Sequence, residues 1–201
     1  MFFEISKLFY LIINLKAFLI GLSAYILLEI VQGQDFLAEI IYFEGAQLSV
    51  GSLLFFPLGA TVFSYYLYGY RALLGVLLIK VLAGFFYNTP SDIFWEFAII
   101  GWLGPLVAII LLRYFRLGFT GKTLDTNIGH IIFLIIFSAI INTLLKFIAF
   151  YSHHHETLSA HWQQPDPLFF LSTFLPGDTI GGFIFFFGYL YLRSAWLKKS
   201  Q

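Results

Sequence analysis

The sequence predicts an all-α fold: a polytopic helical membrane protein with about six transmembrane helices and both termini in the cytoplasm. The whole chain, 1–201, is read as a single integral membrane domain. Three observations predict this. Of 201 residues, 60% are hydrophobic and only 11% charged, with a mean hydropathy of +0.87, whereas a soluble domain carries about a quarter charged residues. Too little polar surface exists to cover a water-soluble globule. Six segments are apolar enough and close to the roughly 20 residues that a helix needs to cross the hydrocarbon. Finally, the basic residues are confined to alternate loops, the pattern that sets membrane orientation.

Taken in order, the segments are 8–31, 48–69, 71–88, 93–113, 128–150 and 168–194. The first is longer than a signal-peptide apolar region of about 7–15 residues and lacks a small-x-small cleavage site, so it is read as a retained helix. The second and third meet at Arg71. Glycines and the prolines Pro57, Pro105 and Pro176 are compatible with these helices, because neighbouring helices satisfy the freed backbone groups. The amino terminus holds Lys7, the second junction Arg71, the 113–127 loop Arg113, Arg116 and Lys122, and the carboxyl end Arg193, Lys198 and Lys199. The other loops (32–47, 88–92 and 151–167) have no Lys or Arg but carry Asp35, Glu39, Glu44, Asp92, Glu156 and Asp166. Both termini are therefore expected inside, and Tyr42, Phe43, Phe86, Tyr87, Trp95, Tyr151 and Trp162 fall at the outer ends as interfacial anchors. No internal repeat is evident; the Gly101–Gly104 and Gly177–Gly181 spacings read as close helix contacts.

Ionisable residues inside the spans are the candidate functional groups, since a charge in hydrocarbon is costly and needs a partner. Glu29, Glu96 and Lys146 lie within about two turns of the outer boundary, where they can snorkel to water. Lys80 and Asp178 lie about 14 and 15 Å deep from opposite faces, near the middle of a core about 30 Å thick. They are expected to be neighbours, with Lys16 as a second cation. Asp178 is read first as a pin between the sixth and third helices, and alternatively as a ligand contact. Pro176-Gly177-Asp178 is also a start signal, so Asp178 could cap a helix beginning at Thr179.

Other chemistry finds little support. Zero net charge argues against nucleic acid, which needs a basic face. The absence of cysteine excludes disulfides and thiolate sites. His153, His154, His155, Glu156 and His161 have ligand chemistry but no i, i+4 spacing on a helix, so they read as a solvated loop; His130 reads as a hydrogen-bonded helix-end residue rather than a haem ligand. "RLGFTGKTLD", 116–125, lacks the upstream glycine of a phosphate-binding loop, and no hydrolase or metalloprotease motif occurs. The expectation is a non-enzyme without a cofactor or metal.

Several stretches resemble the type-one membrane-associated sensor domain of bacterial signalling proteins, over most of 50–195. "FFPLGATVFSYYLYGYRALLGVLLIKVLAGFFYN", 55–88, resembles that family through Pro57, Gly59, Gly69, Arg71, Gly75 and Asn88. "FAIIGWLGPLVAIILLRYFRL" and "LDTNIGHIIFLIIFSAIINTLL" are similar to its next two segments. "FLPGDTIGGFIFF" resembles its closing Gly-Asp-x-x-Gly motif through Gly177, Asp178 and Gly181. Phe56 stands where the family has a tryptophan. The resemblance implies a sensory or ligand-binding membrane domain in the bacterial cytoplasmic (inner) membrane. No output domain is expected after Gln201, so signalling or assembly would run through other membrane or cytoplasmic protein subunits. Two alternatives stand beside it: an accessory subunit of a larger membrane complex, and a transport component resembling the substrate-binding subunit of an energy-coupling-factor transporter, by architectural analogy.

Overall fold

The computed structural model describes residues 2–32, 54–86, 91–115, 128–152 and 167–199, and all regular structure among them is helical. The helices are α1 (Phe2–Gln32), α2 (Phe56–Tyr68), α3 (Leu73–Phe86), α4 (Ser91–Tyr114), α5 (Ile128–Ser152) and α6 (Pro167–Lys199), with a 3-10 turn at Gly69–Ala72 between α2 and α3. By length and composition, five stretches can cross a membrane: Lys7–Val31, Phe56–Phe86, Trp95–Leu112, Ile128–Ala149 and Phe174–Leu192.

The second of these is a hairpin. Gly69, at φ 60 and ψ −146, breaks the helix where only glycine is at ease. Across the turn Lys80 Nζ reaches Pro57 O at 3.5 Å, although the two residues are far apart in sequence. The described legs have 13 and 14 residues, about 20 Å each, shorter than the two full crossings expected at 48–69 and 71–88. Pro57 stands in the first turn of α2, where a missing N–H costs nothing, so the described helix starts at Phe56. Residues 48–53 lie outside the described residues.

What faces outward identifies the surrounding medium. On α1 the buried stripe is Ile13, Ala17, Ile20, Ala24 and Leu28, at helical spacing, while Leu11, Leu15, Leu19, Ile26 and Ile30 are exposed. A helix bathed in water would show polar residues there. Leu78, Phe85, Ile110, Ile148 and Leu192 repeat the pattern on other helices. The outer surface is hydrocarbon-like, as a multi-pass membrane protein requires.

Without a hydrophobic driving force between helices in lipid, close approach and buried hydrogen bonds hold the bundle. Asn14 Oδ1 of α1 accepts the Gly75 N–H at 2.8 Å, and Gly75 abuts the Asn14 carbonyl, leaving no room for a side chain. Gly59 of α2 faces Gly182 of α6, where a methyl on Gly59 would lie 2.8 Å from the Gly182 backbone. Tyr65 donates to Trp102 O and Trp102 Nε1 to Leu73 O, each at 2.8 Å, tying α4 to the hairpin. Residue pairings also fix relative directions. Phe9–Arg71, Asn14–Gly75 and Gly21–Ile79 make α1 and α3 parallel. Phe55–Gly177, Gly59–Gly182 and Phe63–Phe186 make α2 and α6 parallel. Asn142–Asp178 and Ile135–Gly182 make α5 and α6 antiparallel.

Candidate functional site: a buried polar centre

Asp178 is 1% exposed and sits inside α6, which runs without a break through Pro176 and Gly177. The expectation that Asp178 caps a helix beginning at Thr179 is therefore corrected. Pro176 has no N–H to lose its place in the ladder, and Thr179 Oγ1 donates to Leu175 O at 2.7 Å within the same turn. The carboxylate's hydrogen bonds come from α5: Asn142 Nδ2 donates to Oδ2 at 2.7 Å and Thr143 Oγ1 to the same oxygen at 3.4 Å. The pin thus joins α6 to α5.

Two ammonium groups complete the centre. Lys80 of α3 is 7% exposed and Lys146 of α5 is 8% exposed. Both lie within electrostatic range of the Asp178 carboxylate. Neither forms an ion pair within hydrogen-bond range of it among the described residues. Aromatic faces take that place: Lys146 Nζ lies 4.8 Å from the Phe55 ring centroid and 5.6 Å from that of Phe174. Lys80 Nζ lies 5.7 Å from Tyr25 and 5.9 Å from Phe55. Each such contact is worth about 2 kcal/mol when desolvated. The Phe55 ring is shared by both cations.

The backbone around Phe55 explains why the centre can form. The Phe55 N–H donates to Gly177 O at 3.2 Å. Gly181, one turn on, lies so close that a methyl built on it would stand 2.5 Å from Phe55 N and 2.6 Å from Phe55 C. Glycine at 181 is what lets the start of α2 rest on α6. Gly101 of α4 faces the Lys80 side chain, 3.4 Å from Cδ and Cε if a methyl were present.

Of the residues the sequence singles out, the structure gathers Asp178, Lys80, Gly177, Gly181, Pro57 and Gly59 around this centre. Two stand apart. Lys16 lies on the exposed face of α1, between Leu15 and Leu19, because its position falls opposite the buried Ile13–Ala17–Ile20 stripe. Arg71 is exposed in the turn at the far end of the hairpin, with its guanidinium 5.9 Å from the Phe9 ring. The second cation is Lys146, which helical rotation turns inward rather than to the boundary. Asn142, Thr143 and Phe55 are also members that sequence reasoning missed. A signal for Asn142 and Lys146 exists: Ser138, Asn142 and Lys146 recur every four residues, a polar stripe on one face of an apolar helix.

The stripe has unmet hydrogen-bonding capacity. Among the described residues Ser138 Oγ and Asn142 Oδ1 are buried with no hydrogen-bond partner, and Lys146 Nζ finds no acceptor. No group of metal-ligating side chains occurs among the described residues. The histidines of the 153–161 stretch lie outside them, as does the 116–125 loop. No protein family, curated protein or solved structure matches this chain.

Proposed function

We propose that the chain is an integral membrane ligand-binding, sensory domain that acts through protein partners. In this reading it crosses the bacterial cytoplasmic membrane six times, the short hairpin legs included, with both termini inside. It is a divergent relative of the type-one membrane-associated sensor domain. The observation that carries the proposal is the make-up of the buried centre: two lysines against one aspartate, with hydrogen-bonding atoms beside them that find no partner among the described residues. A purely structural pin would be stable with one charge of each sign and a complete set of hydrogen bonds. Uncompensated charge at depth is costly and marks a site whose complement arrives from outside the chain.

Native mass spectrometry after mild detergent extraction tests this. Wild-type protein should carry a small molecule or a second polypeptide, and Lys80→Met should shed the small molecule while remaining helical and monodisperse. A wild-type chain that emerges bare, without ligand or subunit, refutes the proposal.

A second reading, an accessory subunit of a membrane complex, is favoured by Lys16. An ammonium on an apolar exposed helix face, without a partner among the described residues, suits a neighbouring transmembrane helix bearing a carboxylate. Blue-native electrophoresis of wild type against Lys16→Leu separates the two, since loss of a high-mass band belongs to this reading alone.

A further inference from the structure

Away from the buried centre, two exposed cations share one strip of surface at the turn end of the bundle. Arg71 is exposed in the turn between α2 and α3, and its guanidinium lies 5.9 Å from the Phe9 ring centroid, which sets it against α1. Lys16, also exposed, follows Phe9 on α1 by two helical turns, so the two share a face about 10 Å apart along the axis. Cα–Cβ bonds of a helix tilt toward its amino end, so the Lys16 stem sets out toward Phe9 and Arg71. Neither cation forms an ion pair among the described residues. No Asp or Glu occurs between Glu44 and Asp92, and the acids of α1, Glu4 and Glu29, lie more than three turns from Lys16 in either direction. Beyond Lys16 the same face turns apolar: Leu19 and Leu27 are exposed, and the Ser23 hydroxyl between them donates to Ile20 O at 2.8 Å. A strip cationic at one end and apolar along the rest matches a phospholipid, with its phosphate at the cations and a chain along the leucines. The carboxylate-bearing helix considered above complements Lys16 alone. A phosphate also complements Arg71, whose planar fork takes two of its oxygens at once.

We propose that Phe9, Lys16 and Arg71 form a site for an anionic phospholipid in the leaflet at the turn end of the bundle, the cytoplasmic leaflet in the topology proposed above. Arg71, steadied by the Phe9 ring, takes the phosphate. Lys16 adds a second positive charge, which favours a headgroup of net negative charge over a zwitterionic one carrying its own ammonium. The site is independent of whatever the buried centre holds, and it competes with the accessory-subunit reading for Lys16.

Native mass spectrometry of the purified full-length chain tests the site, with phosphatidylglycerol or phosphatidylcholine of identical acyl chains titrated into the detergent. Wild-type protein should retain phosphatidylglycerol about fivefold more readily than phosphatidylcholine. Lys16→Leu and Arg71→Gln should each weaken phosphatidylglycerol retention about fivefold, the weight of one basic residue at an anionic surface. Lys198→Gln, near the carboxyl end and outside the strip, should leave retention unchanged, which separates a site from the general attraction of a basic membrane face. Lys80→Met should also keep the lipid, which distinguishes it from a ligand of the buried centre. Glycerol phosphate, the headgroup phosphate without acyl chains, should not displace it. Both strip substitutions fall at exposed positions, and circular dichroism checks that each variant is folded; if either is not, the ranking of the two lipids on wild type decides. Equal retention of the two lipids, wild-type retention in folded Lys16→Leu or Arg71→Gln, an equal loss in Lys198→Gln, or displacement by glycerol phosphate would overturn the assignment. If Lys16→Leu keeps the lipid but loses a protein subunit in blue-native electrophoresis, the strip is a helix contact and this inference falls. A chain that carries no ligand or subunit before lipid is added removes the ligand-binding reading and leaves the lipid site standing.

Discussion

Gly181→Ala probes the contact on which the centre is built. The added methyl would stand 2.5, 2.6 and 2.8 Å from the N, C and O atoms of Phe55. Ordinary contact needs about 3.4 Å or more, so the start of α2 must withdraw by nearly 1 Å, and its neighbours are backbone atoms that cannot turn aside as a side-chain tip could. Overpacking of this kind costs about 1–3 kcal/mol. The withdrawal also stretches the 3.2 Å bond from Phe55 N–H to Gly177 O, a further loss of about 1 kcal/mol. The expected destabilisation is about 2–4 kcal/mol. Gly188→Ala on the same helix is the internal control, because nothing lies within 4 Å of a methyl there and alanine improves helix propensity by up to about 1 kcal/mol. Reversible unfolding in mixed micelles of increasing sodium dodecyl sulfate, followed by circular dichroism, measures both. The two substitutions should have opposite signs. A Gly181→Ala protein within about 0.5 kcal/mol of wild type would refute the backbone-on-backbone contact and with it the position of Phe55.

Other predictions concern separate parts of the chain. Gly69→Ala meets open space but a backbone conformation foreign to alanine, so it should cost about 1–3 kcal/mol in the same assay; a neutral result would remove the strained turn from the account. Asn142→Leu deletes the 2.7 Å bond to Asp178 and should destabilise by about 1.5–3 kcal/mol, while a change below 0.5 kcal/mol would mean that the carboxylate does not depend on α5. Lys16→Leu should leave the stability of the isolated chain within about 0.5 kcal/mol of wild type, since the side chain is exposed; a large loss would place it in the core. The chain has no cysteine, so single cysteines at Thr120 and Leu158 report orientation cleanly. In intact bacterial cells a membrane-impermeant maleimide should label position 158 and spare 120, and the reverse pattern overturns the proposed topology.

The legibility of each part of the site follows from how each residue's signal arises. Membrane class is carried by composition and needs no packing. Lys80 and Asp178 are readable because each lies far from any boundary, and depth alone makes a charge expensive. Lys146 is nearer a helix end, where depth is silent and rotation about the helix axis decides. Only its four-residue spacing from Asn142 and Ser138 shows that rotation, and the spacing has to be read against buried stripes rather than against the boundary. Lys16 is the converse case: its depth matches that of Lys80, yet its neighbours Ile12, Leu15 and Leu19 share an exposed face. Depth gives cost, and periodicity gives direction. The part played by Phe55 could not be read at all, because it depends on a backbone contact between segments far apart in sequence. Pro176-Gly177-Asp178 was ambiguous for a local reason: the same three residues open a helix in water and pass unbroken through one among packed neighbours.

The short α2 has an electrical consequence. A helix terminates in four backbone N–H groups without intrahelical acceptors, equivalent to roughly half a positive charge. Helices that traverse a bilayer fully place that partial charge in headgroup water, where it is screened. Here the amino end of α2 is buried, with Phe56 only 3% exposed and no side-chain cap; the N–H of Phe55, the residue before the helix, donates to Gly177 O, and that of Phe56 to Leu54 O. The peptide dipole of α2 therefore terminates against the backbone of α6 at Gly177, among packed helices and not in headgroup water. Unlike the lysines, this positive pole cannot lose a proton. It is fixed by the backbone of α2 and does not vary with acidity.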